Sequence, residues 1–76
     1  MNADPNADGR LYLQIGRHIR DLRVKKGMSQ LKLAAKASLH RNHVGEVERG
    51  ETNVTVHTIS KIADALGLPL TSILKE

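Results

Sequence analysis

The sequence predicts an all-α protein built from five helices, with no strand. In successive segments, apolar residues recur every three or four positions, which is the period of a helix with one buried side. Residues that commonly begin or end helices separate these segments, as Ser29, Thr55, Gly27 and Gly67 do. Because the chain has one Tyr and neither Phe nor Trp, its core must consist of aliphatic side chains.

The first helix is predicted from about Leu11 to Lys26, where Gly27 ends it. Its buried stripe contains Leu11, Ile15, Ile19 and Leu22. The preceding residues 1–9 (MNADPNADG) offer almost nothing to bury, so we expect a disordered tail there. Residues 10–76 are expected to form one domain, of a size whose core is only marginally stable alone.

Residues 29–50 (SQLKLAAKASLHRNHVGEVERG) predict two short helices joined by a tight turn. Ser29 caps the first of these helices, and its narrow apolar face contains Leu33, Ala34 and Ala37. The pattern breaks at residues 38–39 and a new period begins at His40. In this second helix Val44 and Val47 are expected to face inward, whereas the outward residues are Asn42, Gly45, Glu46 and Arg49.

Two further helices are predicted, one after Thr55 and one from Leu70 to about Lys75, with Pro69 in its first turn. The C-terminal end is more apolar than one small core should need. We therefore predict a homodimer interface there, formed by Leu66, Leu68, Leu70, Ile73 and Leu74. The alternative is that these side chains only cover the core of a single chain.

Composition narrows the class of function. All 12 Lys and Arg residues but only 6 of the 8 acidic residues lie in residues 10–76, an excess that suits a polyanionic partner or simply aids solubility. The scarcity of aromatic residues argues against single-stranded nucleic acid, whose bases stack on aromatic rings. The longest apolar run is too short to cross a bilayer and no signal peptide is visible, so we expect a cytoplasmic protein.

Neither catalysis nor a cofactor is expected. The sequence has no nucleophile–base arrangement, no glycine-rich phosphate loop and no room for a substrate cavity, so it predicts no enzyme and no small-molecule ligand. His40 and His43 are three residues apart, but two ligands without a third make a poor metal site, and the chain contains no Cys.

Several residues, in matching order and spacing across about residues 13–74, resemble the lambda-repressor/Cro-like (XRE-type) helix-turn-helix family. They are Ser29-Gln30, Leu33-Ala34, Leu39, Val44, Val47-Glu48-Arg49-Gly50, Ile62-Ala63 and Ala65-Leu66-Gly67. Within that family, residues 40–55 (HRNHVGEVERGETNVT) most resemble the small controller proteins of restriction–modification systems. The resemblance implies a compact five-helix DNA-binding domain, with the helix-turn-helix at helices 2 and 3.

The resemblance also implies a site. In such proteins the second helix of the motif lies in the major groove and its first residues touch base edges. The corresponding base-reading residues here are Arg41 and Asn42 first, then His40, His43 and Glu46. Gln30 resembles the family's Gln that binds a phosphate, and Arg49, Asn53 and Lys36 are weaker candidates for phosphate contacts. The alternative for each of the four is an exposed side chain that only aids solubility. An ion pair between Arg23 and Glu48 is expected to fix the angle between the first helix and the reading helix.

One position departs from the family pattern. The family usually has Gly at position 38, where the turn needs a left-handed backbone, and this chain has Ser38. Ser can adopt that conformation at a cost of roughly 1 kcal/mol.

We therefore expect a transcriptional regulator that binds a palindromic double-stranded DNA operator as a homodimer, with RNA polymerase as a further partner. A restriction–modification controller protein is the leading interpretation. A phage-type repressor or an antitoxin-like regulator would share these features. An interaction module that uses the same fold to bind another protein is the alternative from a different class.

Overall fold

A computed structural model describes residues 7–74 of the chain. In that range the backbone forms five helices and no strand, which confirms the predicted all-α fold class. The helices are α1 (Ala7–Lys25), α2 (Gln30–Ala37), α3 (Arg41–Glu48), α4 (Val56–Leu66) and α5 (Leu70–Leu74).

Helix α1 begins earlier than predicted. It starts at Ala7 rather than near Leu11, so residues 7–9 belong to the helix and not to the expected tail. Extending an existing helix adds one hydrogen bond per residue without a new nucleation cost, which a prediction based on the buried stripe does not capture. Residues 1–6 of the predicted tail, like Lys75 at the predicted end of the last helix, lie outside the described residues.

The core is aliphatic and every helix contributes to it. Its members are Ile15 and Ile19 from α1, Leu33, Ala34 and Ala37 from α2, Val44 and Val47 from α3, Ile59, Ile62, Ala63 and Leu66 from α4, and Ile73 from α5. Since α2 and α3 have only eight residues each, their stability depends on this packing rather than on helix propensity.

Side-chain caps define where three helices begin. The Ser29 hydroxyl accepts a hydrogen bond from the Lys32 backbone N–H at 3.0 Å, and the Thr55 hydroxyl accepts one from the Thr58 N–H at 3.1 Å. Both caps match the sequence prediction. A third cap is supplied by His40, whose Nδ1 accepts from the Asn42 N–H at 3.1 Å. Each cap satisfies an N–H group that has no partner inside the helix.

Helix α5 folds back onto α4 and α1. Leu66 and Ile73 are each 1% exposed and belong to the core of the single chain, so little of either side chain remains for the predicted dimer interface. Leu68 and Leu70 are half-buried against the core, and Leu74 is exposed.

Helix α1 and the end of α3 approach each other without intervening side chains. A β-carbon on Gly16 would collide with the carbonyl oxygens of Val47 and Glu48. Just beyond α3, a β-carbon on Gly50 would lie 2.7 Å from the Leu13 Cα. These two contacts fix the end of α3 against the middle of α1.

The turn between α2 and α3 has a left-handed residue at its start. Ser38 has φ 57° and ψ 44°, and it is the one residue other than glycine with positive φ in the described range. This conformation lets the Ser38 and Leu39 N–H groups donate to the carbonyls of Ala35 and Ala34, at 3.3 and 2.9 Å. The turn therefore ends α2 with two of its last four carbonyls satisfied, at the cost of a strained backbone.

We predict that Ser38→Gly stabilises the protein by about 0.5–1 kcal/mol. Glycine adopts the left-handed conformation without steric cost, although its freedom in the unfolded state offsets part of the gain. Urea denaturation followed by circular dichroism would measure the change. As a control, Ser60→Gly within α4 should lower the free energy of unfolding. Equal or lower stability of Ser38→Gly would contradict the assignment of strain to this residue.

Candidate nucleic-acid interface

The outward side of α3 forms an open cleft with the start of α2. The cleft has a volume of about 470 Å³, and its lining residues are Gln30, Arg41, Asn42, Gly45, Glu46 and Arg49. Arg41, Asn42 and Glu46 are exposed. The structure thus brings together three of the expected base-reading residues with two of the expected phosphate contacts, Gln30 and Arg49.

The two expected base-reading histidines are in different situations. His40 is exposed, but its Nδ1 is occupied by the α3 cap, so only its other ring nitrogen is available to a ligand. His43 is half-buried, with its Nδ1 3.6 Å from the Glu46 Oε1. When His43 is protonated, it would offset the negative charge of Glu46 beside the cleft.

Behind the cleft, Arg23 of α1 and Glu48 of α3 form a two-pronged ion pair. Arg23 Nε donates to Glu48 Oε2 at 2.6 Å, and Arg23 Nη2 donates to Glu48 Oε1 at 3.0 Å. The Arg23 Nη1 also donates to the Met28 carbonyl at 2.7 Å. Both side chains are buried, with Arg23 8% and Glu48 5% exposed. The pair ties α1, the α1–α2 turn and α3 together.

Gln30 connects this buried pair to the surface. Its Nε2 donates to Glu48 Oε1 at 2.9 Å, so the residue is partly committed to the network behind α3. An amide nitrogen carries two N–H groups, and one remains for another acceptor. Gln30 is also the first residue of α2, next to backbone N–H groups that favour negative charge.

The structure corrects the expected exposure of Gly45. This residue is buried, because the Arg49 and Gln30 side chains lie across it. A β-carbon at this position would lie 3.0 Å from the Arg49 Nη1 and 3.6 Å from the Gln30 Oε1. Gln30 belongs to another helix and Arg49 covers Gly45 only because its side chain runs back along α3, so helical spacing alone could not show the burial.

Arg49 forms a pair that the sequence analysis missed. Its Nε lies 2.9 Å from Glu51 Oε2, and both side chains remain more than half exposed. The hydrogen bond and the charge of Glu51 raise the pKa of Arg49, and the hydrogen bond from Arg49 lowers the pKa of Glu51. The sequence feature that could have predicted this pair is the two opposite charges on either side of Gly50, although such pairs are common on protein surfaces.

Two expected phosphate contacts lie outside the cleft. Lys36 is exposed in the last turn of α2, and Asn53 is exposed in the loop between α3 and α4. Within residues 7–74, no three His, Asp or Glu side chains converge as metal ligands would. The same part of the chain contains no helix that is both long and apolar enough to span a membrane.

Comparison with known proteins supplies the decisive observation. A protein-family model described as helix-turn-helix matches residues 19–73. The chain belongs to the helix-turn-helix family. The matched range contains α2, the Ser38 turn and α3, which are the two helices and the turn of the motif. Members of the helix-turn-helix family are transcription regulators that bind double-stranded DNA, not enzymes.

Among sequence relatives, the helix-turn-helix chain is similar to the Control protein C.BamHI of Bacillus amyloliquefaciens. The two are 42% identical over 59 residues, which is 76% of this chain and 73% of the relative. The Control protein C.SmaI of Serratia marcescens is 37% identical over 60 residues, covering 79% of this chain and 71% of the relative.

A solved structure agrees with these relatives. The restriction–modification controller protein C.AhdI from Aeromonas hydrophila matches with a TM-score of 0.80 and 40% identity. The match covers 82% of this chain and 94% of that protein. The predicted membership of the XRE-type family, with controller proteins among the similar members, is therefore confirmed.

We predict that Arg23→Met lowers the free energy of unfolding by about 3 kcal/mol, because it leaves the Glu48 carboxylate buried without its cationic partner. Glu48→Gln should also destabilise. In the double variant the two losses should not add, giving a coupling energy of about 1–3 kcal/mol. Urea denaturation of the four proteins measures this energy. Strict additivity would show that the two side chains act independently.

Proposed function

We propose that this protein is a sequence-specific transcriptional regulator that binds a palindromic duplex DNA operator as a homodimer. Its proposed role is that of a restriction–modification controller protein, which sets the expression of a restriction endonuclease. The observation that supports this role is the exposure of Arg41 and Asn42 at the start of the second motif helix, in a chain similar to controller proteins.

The exposed groups have the chemistry that base reading needs. The Arg41 guanidinium matches the O6 and N7 acceptors of guanine, and the Asn42 amide matches N6 and N7 of adenine. Glu46 lies one turn later and its carboxylate would accept from cytosine N4. His43 and His40 are proposed as secondary base contacts, because His43 is half-buried and His40 caps α3.

Phosphate contacts would orient the protein on the duplex. Gln30 and Arg49 are proposed as the main ones, because they line the same cleft as the base-reading side chains. Asn53 and Lys36 would contribute at its margins. Each phosphate neutralised by a cation releases condensed counterions, so binding should weaken steeply as the salt concentration rises.

The dimer is proposed on geometric grounds. One α3 helix covers only a few base pairs, so specificity calls for a second copy on a half-site about 34 Å away. Leu68 and Leu70 are half-buried and Leu74 is 47% exposed, which leaves these three of the five expected interface residues available for contact with a partner. Contact with RNA polymerase would link operator occupancy to transcription, and such a regulator would act in the cytoplasm.

Selection of random duplex DNA on the purified protein tests this function. We predict an enriched palindrome. We also predict that Arg41→Ala loses the preference for guanine at one symmetric pair of positions, because Arg41 is the one arginine at the start of α3. Arg20→Ala removes the same charge from the exposed side of α1 and should preserve the preference.

Two outcomes would contradict the proposal. Absence of any enriched sequence, together with DNA affinity that hardly changes with salt, would favour the protein-interaction module. Enrichment of a site with no symmetry would contradict the homodimer while leaving DNA binding intact.

A further inference from the structure

We propose that Glu51 is a positioning residue for DNA binding, which holds the Arg49 guanidinium over Gly45 in the α3 cleft. On this proposal a negatively charged side chain strengthens the binding of a negatively charged ligand. The inference rests on the proposed function, since it takes duplex DNA as the ligand, and it assigns a role to a residue outside the set of expected contacts.

The position of Arg49 is defined by what its guanidinium lies against. Arg49 is the C-terminal cap of α3, and its side chain runs back along the helix by one turn. The Nη1 and Cζ atoms lie 3.0 and 3.7 Å from where a β-carbon on Gly45 would be. The Gln30 amide oxygen approaches the same point at 3.6 Å. The guanidinium is therefore beside the start of α2, within the cleft.

Glu51 binds the Nε edge of the Arg49 guanidinium and leaves the two terminal nitrogens open. The carboxylate contacts Nε, and no other acceptor for the guanidinium is found among the described residues. A guanidinium has five N–H donors, so the Nη1 and Nη2 groups remain available as a planar fork. Such a fork fits paired acceptors, which duplex DNA offers as a guanine edge or as phosphate oxygens.

Gly45 is the second part of the arrangement. A β-carbon 3.0 Å from Nη1 is closer than ordinary contact, so the Arg49 side chain would have to shift by a few tenths of an ångström if any other residue stood here. The position is helical and has no positive φ, so the absence of a side chain is not required by the backbone. The space above Gly45 instead accommodates Arg49.

The proposal predicts the opposite sign from simple electrostatics. If Glu51 acted only through its charge, its removal would strengthen binding to DNA. If Glu51 positions Arg49, removing Glu51 leaves the long Arg49 side chain mobile. Binding must then order that side chain, which costs free energy, and the affinity for DNA falls. The sign of the change therefore separates the two accounts without reference to its size.

The experiment measures affinity for the selected duplex in a double-mutant cycle of Glu51→Ala and Arg49→Ala. We expect Glu51→Ala to weaken binding about two- to fivefold, the range for an exposed ion pair. Asp64→Ala on the exposed side of α4 removes the same charge and should not weaken binding. In the Arg49→Ala background, Glu51→Ala should no longer weaken binding, because the group it positions is gone.

Two further variants test the mechanism. Gly45→Ala should weaken binding without lowering the melting temperature, since alanine favours the helix while displacing Arg49. Arg49→Ala identifies the group on DNA that Arg49 binds. If the variant loses its base preference at one symmetric position, the acceptor is a guanine edge. If it binds all sequences more weakly and the dependence of log affinity on log salt concentration has a slope smaller by about one, the acceptor is a phosphate.

Binding by Glu51→Ala as tight as or tighter than that of the wild type would overturn the proposal. An equal loss with and without Arg49 would also overturn it, because the effect would not pass through Arg49. These outcomes leave the proposed function intact if the wild type binds its selected duplex. A wild-type protein that binds no duplex would overturn both.

Discussion

The buried pair between Arg23 and Glu48 is the interaction on which the placement of the reading helix depends. It joins α1 to α3 in a two-pronged geometry and adds the Met28 carbonyl and the Gln30 amide as further partners. A buried ion pair contributes uncertain net stability, because desolvation offsets its attraction. Its clear effect is geometric, since two charges buried together permit only a narrow range of angles between their helices.

Close backbone contact completes the constraint. Gly16 lets α1 approach the carbonyls at the end of α3, so a short helix that could not persist alone is fixed at its C-terminal end. Its first turn is fixed separately by the Ser38 turn and the His40 cap. With both ends held, the exposed side chains of α3 are presented from a rigid element, as recognition of base edges requires.

Much of the fold followed from local chemistry, because capping and aliphatic periodicity act within a few residues. Ser29 and Thr55 could be assigned as caps without knowing what packs against them. The left-handed turn at Ser38 was expected only from the glycine that the family usually has at this position. The burial of Gly45 could not be predicted in this way, since it depends on Gln30 from another helix and on the path of the Arg49 side chain. Leu66 and Ile73 looked like interface residues because the sequence does not show how tightly α5 folds back. Arg23 and Glu48 were expected only through the family resemblance, since their separation of 25 residues leaves no periodic signal.

The most direct test of the account is an NMR titration of the protein with its selected duplex, following backbone amides. The account predicts that the largest shifts fall on residues 40–46, on Gln30 and on the loop after α3, while amides of the α1–α5 groove around His18 change little. That groove is on a different part of the surface and is lined by residues such as Leu11 and Leu74. Shifts concentrated there, with α3 unaffected, would contradict the assignment of α3 as the reading helix.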